Sequence, residues 1–244
     1  MISPVNRSAE AFDRHPISDM ASTTPAALDD IVSIAAGYSR GRFLYPADES
    51  LPTAFETPTR YHWWEPEHRA AISSETLRLG SGHRRRLRNY TTSFDQSFRV
   101  VLESCAAPRS RASVCPPWIT RDSIDAYVNL YETGIAHSVE VWENDELVGG
   151  LFGIAIGAYF SCDSMFSTAP SASTAALRTL ADNFSSNQTL IDLQWPNAHV
   201  HRLGAKDIER SVFTRMVANA VSENAKRPPT EVDGLSEQLR STTT

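Results

Sequence analysis

A chain of 244 residues with 41% apolar residues, five Trp, seven Tyr and ten Phe can bury a real core, as one large domain or two small ones. A net charge of −6 argues against a protein that coats nucleic acid indiscriminately. No apolar run approaches the ~20 residues of a membrane-spanning helix, and the polar N-terminus has no signal-peptide centre, so a cytoplasmic protein without a membrane partner is expected.

Residues 1–24 are rich in Ser, Pro, Asp and Thr without periodicity and read as a disordered leader. Over residues 26–36 the apolar residues Ala27, Leu28, Ile31, Val32 and Ala35 recur at helical spacing, with Gly37 as the stop. The stretch Tyr38-Ser39-Arg40-Gly41-Arg42-Phe43-Leu44-Tyr45-Pro46 reads as a turn with exposed aromatic residues, and in Trp63-Trp64-Glu65-Pro66 the adjacent tryptophans fit core and loop packing better than a ligand platform, though one of a pair can line a pocket. His83-Arg84-Arg85-Arg86-Leu87-Arg88 is a concentrated positive run that fits either several phosphate contacts or a solvated helix start. Residues 97–107 read as a helix, and the Pro-, Ser- and Arg-containing segment 108–117 separates a small N-terminal domain (25–107) from a larger one (118–225).

The second part starts at Trp118. Asp122 is a suitable N-cap for a helix with the stripe Ile124, Tyr127, Val128 and Tyr131, and Gly134 ends it. Residues 137–142 alternate as a strand, Glu143-Asn144-Asp145 turns the chain, and 147–156 returns as the partner of a hairpin. A third strand covers 159–163, an Ala-rich helix carries Ala176, Leu177, Leu180 and Phe184, and a last helix starts near Asp207 with Ile208, Val212, Met216 and Ala220. This order predicts an α/β (α+β) protein with a mixed, largely antiparallel sheet and flanking helices. Residues 226–244 read as a disordered tail.

Between the Ala-rich helix and the last one lies Leu190-Ile191-Asp192-Leu193-Gln194-Trp195-Pro196-Asn197. As a five-residue strand it puts Asp192 and Gln194 on one face and Ile191 and Leu193 on the other, with Asn197 and His199 on the loop after Pro196. Spacing alone fits a buried polar pair tied to backbone groups as well as a catalytic pair. There is no GxxxxGK[ST] loop, HExxH helix or GxSxG turn, and Cys105, Cys115 and Cys162 form no CxxC pair, so neither a metal nor a nucleophilic mechanism has candidate parts.

The blocks His137-Ser138-Val139-Glu140-Val141-Trp142, Asp145-Glu146-Leu147-Val148-Gly149-Gly150-Leu151-Phe152-Gly153, Asp163-Ser164-Met165-Phe166-Ser167, Leu190-Ile191-Asp192-Leu193-Gln194 and Leu203-Gly204-Ala205, with Asn197 and His199, resemble in order and spacing the signature blocks of bacterial leucyl/phenylalanyl-tRNA–protein transferases. Arg40-Gly41-Arg42-Phe43, Trp63-Trp64-Glu65-Pro66 and Pro117-Trp118-Ile119-Thr120-Arg121 are similar to further blocks, so the resemblance covers residues 28–215. It implies a GNAT-like catalytic domain and an aminoacyltransferase that moves Leu or Phe from charged tRNA to the N-terminal Arg or Lys of a protein, without metal or organic cofactor. By position it implies Asp192, Gln194 and Asn197 as catalytic residues and a pocket for the amino acid and terminal adenosine at Tyr45, Trp118, Leu151, Phe160, Asp163, Ser164, Leu180 and Ile191. The run Arg84, Arg85, Arg86 and Arg88 is the expected tRNA contact, Leu-tRNA the preferred donor, and the enzyme is expected to be a monomer.

The sequence departs from the family at the pocket: Tyr45 stands where Trp is usual, Asp163 where Glu is, Leu151 where Met is, and Leu180 where Phe is, and Trp195-Pro196 is additional. One methylene fewer withdraws the Asp163 carboxylate by ~1.5 Å. A small guanidine- or amine-bearing acceptor, as in antibiotic biosynthesis, is therefore the alternative to a protein N-terminus, and a non-catalytic tRNA-binding protein is the third reading.

Overall fold

The computed structural model describes residues 28–46, 61–107, 118–184 and 189–223, so the expected leader, linker and tail, and Cys115, lie outside the described residues. The chain begins with helix α1 (Ile31–Tyr38), which starts later than the periodicity implies because the Asp30 side chain caps it by accepting from the Ser33 N–H at 3.0 Å. Gly37 is inside α1 and is not its stop: a Cβ there would stand 2.2 Å from the Trp63 ring, so this glycine lets an aromatic residue lie on the helix. The small hairpin of β1 (Phe43–Pro46) and β2 (Tyr61–Trp64) follows, then β3 (His68–Ile72), helix α2 (Ser81–Leu87), β4 (Thr91–Phe94) and helix α3 (Phe98–Ala106). None of these four strands was expected from alternation. The positive run is helical and exposed, and α3 agrees with the 97–107 reading.

After residue 118 the elements are α4 (Arg121–Glu132), β5 (Ala136–Glu143), β6 (Glu146–Ile156), β7 (Tyr159–Ser167), α5 (Ala172–Asn183), β8 (Leu190–Asp192), α6 (Ala198–Arg202), β9 (Lys206–Glu209) and α7 (Arg210–Ser222). Thr120, and not Asp122, is the N-cap of α4, in a reciprocal capping box with Ser123. Gly134 ends this helix region with φ +73°. The β5–β6 turn uses Asn144 and Asp145 at φ 51° and 65°, the left-handed pair that a two-residue hairpin needs. Residues 207–209, read as the start of the last helix, are strand β9, and α7 begins at Arg210 with Glu209 as its cap.

Seven strands form one sheet in the order β4-β5-β6-β7-β8-β3-β9, antiparallel except for the parallel pair β7–β8. The mixed, largely antiparallel sheet is thus present. Strands from both sides of residues 108–117 share it, and β3 lies between β8 and β9. One face packs on α5 through Leu151, Phe160, Cys162, Ala176, Leu177, Leu180 and Ile191. A second core joins α1, the β1–β2 hairpin, α3 and α4 through Tyr38, Phe43, Trp64, Val101, Tyr127 and Phe152. No helix among the described residues is long and apolar enough to cross a membrane.

Two irregularities position the site. Opposite Gly153 the ladder of β6 and β7 shifts register, pairing Phe152 with Ser164 and Gly153 with Cys162, so Asp163 is the extra, bulged residue of β7. A Cβ on Gly153 would stand 1.9 Å from the Ser161 carbonyl oxygen, and only glycine lets the strands close here. The second irregularity corrects the five-residue strand. β8 ends at Asp192, and Gln194 has φ 63°, because its N–H turns back to donate to Asp192 Oδ1 at 2.8 Å.

Candidate active site

Asp192 and Gln194 therefore do not share a strand face. Asp192 is wholly buried at the centre of the sheet, opposite Ala71 of β3 and beside Ser161 of β7. Its Oδ2 is paired with the Arg69 guanidinium and accepts from the Tyr159 hydroxyl at 2.9 Å, while Oδ1 accepts from Arg69 Nε at 3.3 Å and from the Gln194 N–H. Arg69, 1% exposed, is packed between the rings of Phe43 and Phe213, each centroid 4.6 Å from Cζ. Instead of a pair tied to backbone groups, Asp192 is held mainly by the side chains of Arg69 and Tyr159, and the Gln194 side chain bonds a different carboxylate. Sequence reasoning missed Arg69, and a charged residue before the apolar run Ala70-Ala71-Ile72 was the available signal.

The Gln194 side chain leads away from this ion pair to a second carboxylate. Its Nε2 donates to Asp163 Oδ1 at 2.9 Å, and Ser161 Oγ donates to the same oxygen at 3.1 Å. Asp163 Oδ2 accepts from Tyr38 of α1 at 2.7 Å and from Tyr127 of α4 at 2.6 Å. Four donors thus come from α1, α4, β7 and the turn after β8. Burial nonetheless dominates and pushes the Asp163 carboxyl up to about 7, with the Asp192 charge adding to the rise and the hydroxyl donors from Tyr127, Tyr38 and Ser161 opposing it. Both tyrosines are held well above the usual phenol range by burial and by the Asp163 charge, so they stay as hydroxyl donors. A buried carboxyl that exchanges its proton near neutrality, next to a carboxamide with a second N–H, is suited to acid–base work.

Asn197 is exposed at the N-cap of α6, its Oδ1 accepting from His199 and Val200 N–H at 2.9 and 3.0 Å. Leu151, Phe160, Leu180 and Ile191 come together, each at most 1% exposed, in the layer between the sheet and α5. Ser164, directly after Asp163, is buried opposite Phe152. Tyr45 and Trp118 lie 5.7 Å apart by ring centroid in an aromatic group with Trp64 and Trp195, next in sequence to Gln194. Arg84, Arg85, Arg86 and Arg88 are exposed on α2 and its cap.

The model of the leucyl/phenylalanyl-tRNA protein transferase family matches residues 71–218. Relatives described as leucyl/phenylalanyl-tRNA–protein transferases include one from Hahella chejuensis (strain KCTC 2396), 45% identical over 169 residues that cover 68% of this chain and 71% of the relative. Another, from Pseudomonas fluorescens (strain SBW25), is 46% identical over 154 residues, covering 62% of this chain and 67% of the relative. A third, from Anaeromyxobacter sp. (strain K), is 34% identical over 209 residues and covers 84% of this chain and 89% of its own. Among solved structures, a GCN5-related N-acetyltransferase-like protein from Streptococcus suis 89/1591 overlaps 58% of each chain with a TM-score of 0.33 and 10% identity.

Proposed function

The chain belongs to the leucyl/phenylalanyl-tRNA protein transferase family, and from that premise we propose that it moves a leucyl group from charged tRNA to the free amine of an N-terminal Arg or Lys of a protein. The observation that carries this reading is the Asp163 carboxyl, enclosed, balanced near neutrality and joined to Gln194 Nε2. An aminoacyl ester is already activated, so the protein has to align amine and carbonyl and move one proton. The amine nitrogen bonds to the ester carbonyl carbon, and the bond from that carbon to the terminal ribose oxygen breaks. As the Gln194 amide turns its N–H groups to the developing oxyanion, Asp163 Oδ1 regains a lone pair and takes the amine proton. Asp163 then gives that proton to the departing ribose oxygen, so the balance closes without a covalent enzyme intermediate.

In this reading Asp192 is a positioning residue: it fixes the left-handed turn at Gln194 and neutralises Arg69. Asn197 assists from the loop beyond. Tyr45 and Trp118 offer faces for the terminal adenosine, and Leu151, Phe160, Leu180, Ile191 and Ser164 surround the aminoacyl group, the apolar layer parting to admit it. The enzyme acts as a monomer in the cytoplasm, where charged tRNA is found.

The test is to offer purified protein Leu-tRNA with an Arg-starting peptide or with a panel of basic small molecules, and to weigh the product. A leucylated peptide is expected. A product formed on a small molecule alone would replace the protein acceptor, and no product on any amine would reduce the chain to a tRNA-binding protein.

Two further outcomes belong to the donor. Converting Arg84, Arg85, Arg86 and Arg88 to Ala is expected to weaken tRNA binding and flatten its log–log salt dependence, by about 0.9 for each duplex phosphate that is no longer neutralised. An unchanged slope would make α2 a merely solvated face. In the apolar layer, Leu180→Phe is expected to alter the ratio of Leu to Phe transfer several-fold, in line with the ~1–3 kcal/mol that such pocket changes carry. Competition between Leu-tRNA and Phe-tRNA in one tube reads it, with Leu the better donor for the wild type.

A further inference from the structure

Strand β7 carries Tyr159, Ser161 and Asp163 at alternate positions, whereas Phe160 and Cys162 face the core against α5. Each residue of this polar row has a partner in the buried network. Tyr159 donates to Asp192 and Ser161 donates to Asp163. The row therefore supplies one donor to each carboxylate from a single strand, while Gln194 joins the two through its backbone N–H to Asp192 and its side chain to Asp163.

The bulge makes this row matter. A bulged residue is released from the regular direction of its strand, so the direction of the short Asp163 side chain has to be set by its hydrogen bonds. Tyr38 and Tyr127 both hold Oδ2, and among the described residues the donors to Oδ1 are Ser161 and Gln194. Of those two, Gln194 is the one that turns toward the ester. When it does, Ser161 is the remaining donor on the oxygen that takes the proton.

We propose that Ser161 is a positioning residue for the transfer reaction, holding Asp163 Oδ1 in place while the Gln194 amide is engaged with the substrate. The proposal rests on the reading of Asp163 as the base. Ser161 is completely buried, and its contribution is a hydroxyl in one place. The charged and titratable groups around Asp163 are Tyr38 on α1, Tyr127 on α4, Cys162 beside it on β7, and Asp192 on β8 with its partner Arg69 on β3.

The experiment compares wild type, Ser161→Ala and Ser161→Thr in leucyl transfer from Leu-tRNA to an Arg-starting peptide across pH 5.5 to 9. In parallel, the Asp163 carboxyl is titrated by NMR in protein labelled with 13C-aspartate, assigned by comparison with Asp163→Asn. The wild-type acid limb is expected at about 7. Removing a donor that favours the ionised carboxylate moves the limb and the NMR titration upward together by about one pH unit, so Ser161→Ala loses about tenfold in kcat/KM below the limb and less above it. Ser161→Thr, which restores a hydroxyl on a strand that tolerates β-branching, is expected to return both toward wild type. A merely structural hydroxyl would lower the unfolding midpoint and leave both titrations where they were, and that result overturns the proposal, as does a folded Ser161→Thr variant as impaired as Ser161→Ala. Absence of peptide transfer by the wild type would sink the function proposed above instead, and the NMR titration would still decide what Ser161 does to Asp163.

Discussion

Asp192→Ala is expected to lower the free energy of unfolding by about 3–5 kcal/mol, and to lose transfer activity as a result of a disordered site more than of a missing base. The side chain is 0% exposed and its partner Arg69 1% exposed, so the variant leaves a guanidinium enclosed between Phe43 and Phe213 without its counter-charge. The Tyr159 hydroxyl and the Gln194 N–H lose their acceptor as well. A buried donor without an acceptor costs about 1–3 kcal/mol, and the left-handed turn at Gln194 loses the bond made by its own N–H. Urea unfolding at pH 7 with a tRNA-binding assay reads the effect. If the unfolding midpoint stayed at the wild-type value while turnover collapsed, Asp192 would act on the amine itself and the positioning role would be wrong.

Asp163→Asn has the opposite signature. Turnover is expected to fall by about 10²–10⁴, the range associated with loss of a positioned general base. Stability should be kept or raised at pH 8. The wild-type carboxyl binds its proton up to about 7 in the folded state, against the ordinary carboxylate value of 3.8 in the unfolded one. Between these values the folded protein holds the proton that the unfolded chain has released, so wild-type stability falls as pH rises through this window and is level above it. An asparagine carries no such cost, so the Tm of Asp163→Asn relative to wild type should climb from pH 4 to pH 7 and then stay constant. A difference in Tm independent of pH would mean that Asp163 is ionised in the folded state throughout, and it would lose its candidacy as the base. Together the variants separate two buried carboxylates joined by one glutamine, one paired with a cation and one not.

Much of the fold was legible because its signals are local. Asn144-Asp145 between two alternating runs specifies the β5–β6 hairpin, Gly134 marks the end of the α4 region, and helical spacing of Ala176, Leu177 and Leu180 gives α5 its buried face. Strands β3 and β9 escaped because neither alternates clearly and both acquire strand character by pairing with residues far away, β3 with β8 and both with each other. Gly37 was misread as a stop since nothing near it in sequence announces that the Trp63 ring will lie on its α-carbon.

For the site the division is similar. The alternation Tyr159, Ser161, Asp163 was available in the sequence and went unread, although it places polar groups on one face of a strand. The residue types at Asp163, Asp192 and Gln194 and their order pointed to the family. They did not reveal which carboxylate is paired. That depends on Arg69, 123 positions before Asp192, and on Tyr38 and Tyr127, 125 and 36 positions before Asp163. The β5–β6 hairpin, helices α3 to α5, the positive run and the family motifs were legible in the chain, because turn and periodicity preferences act over a few residues. Which carboxylate is ion-paired and which is held by neutral donors follows from the tertiary fold alone, because desolvation and ion pairing depend on what the sheet and helices bring around each group.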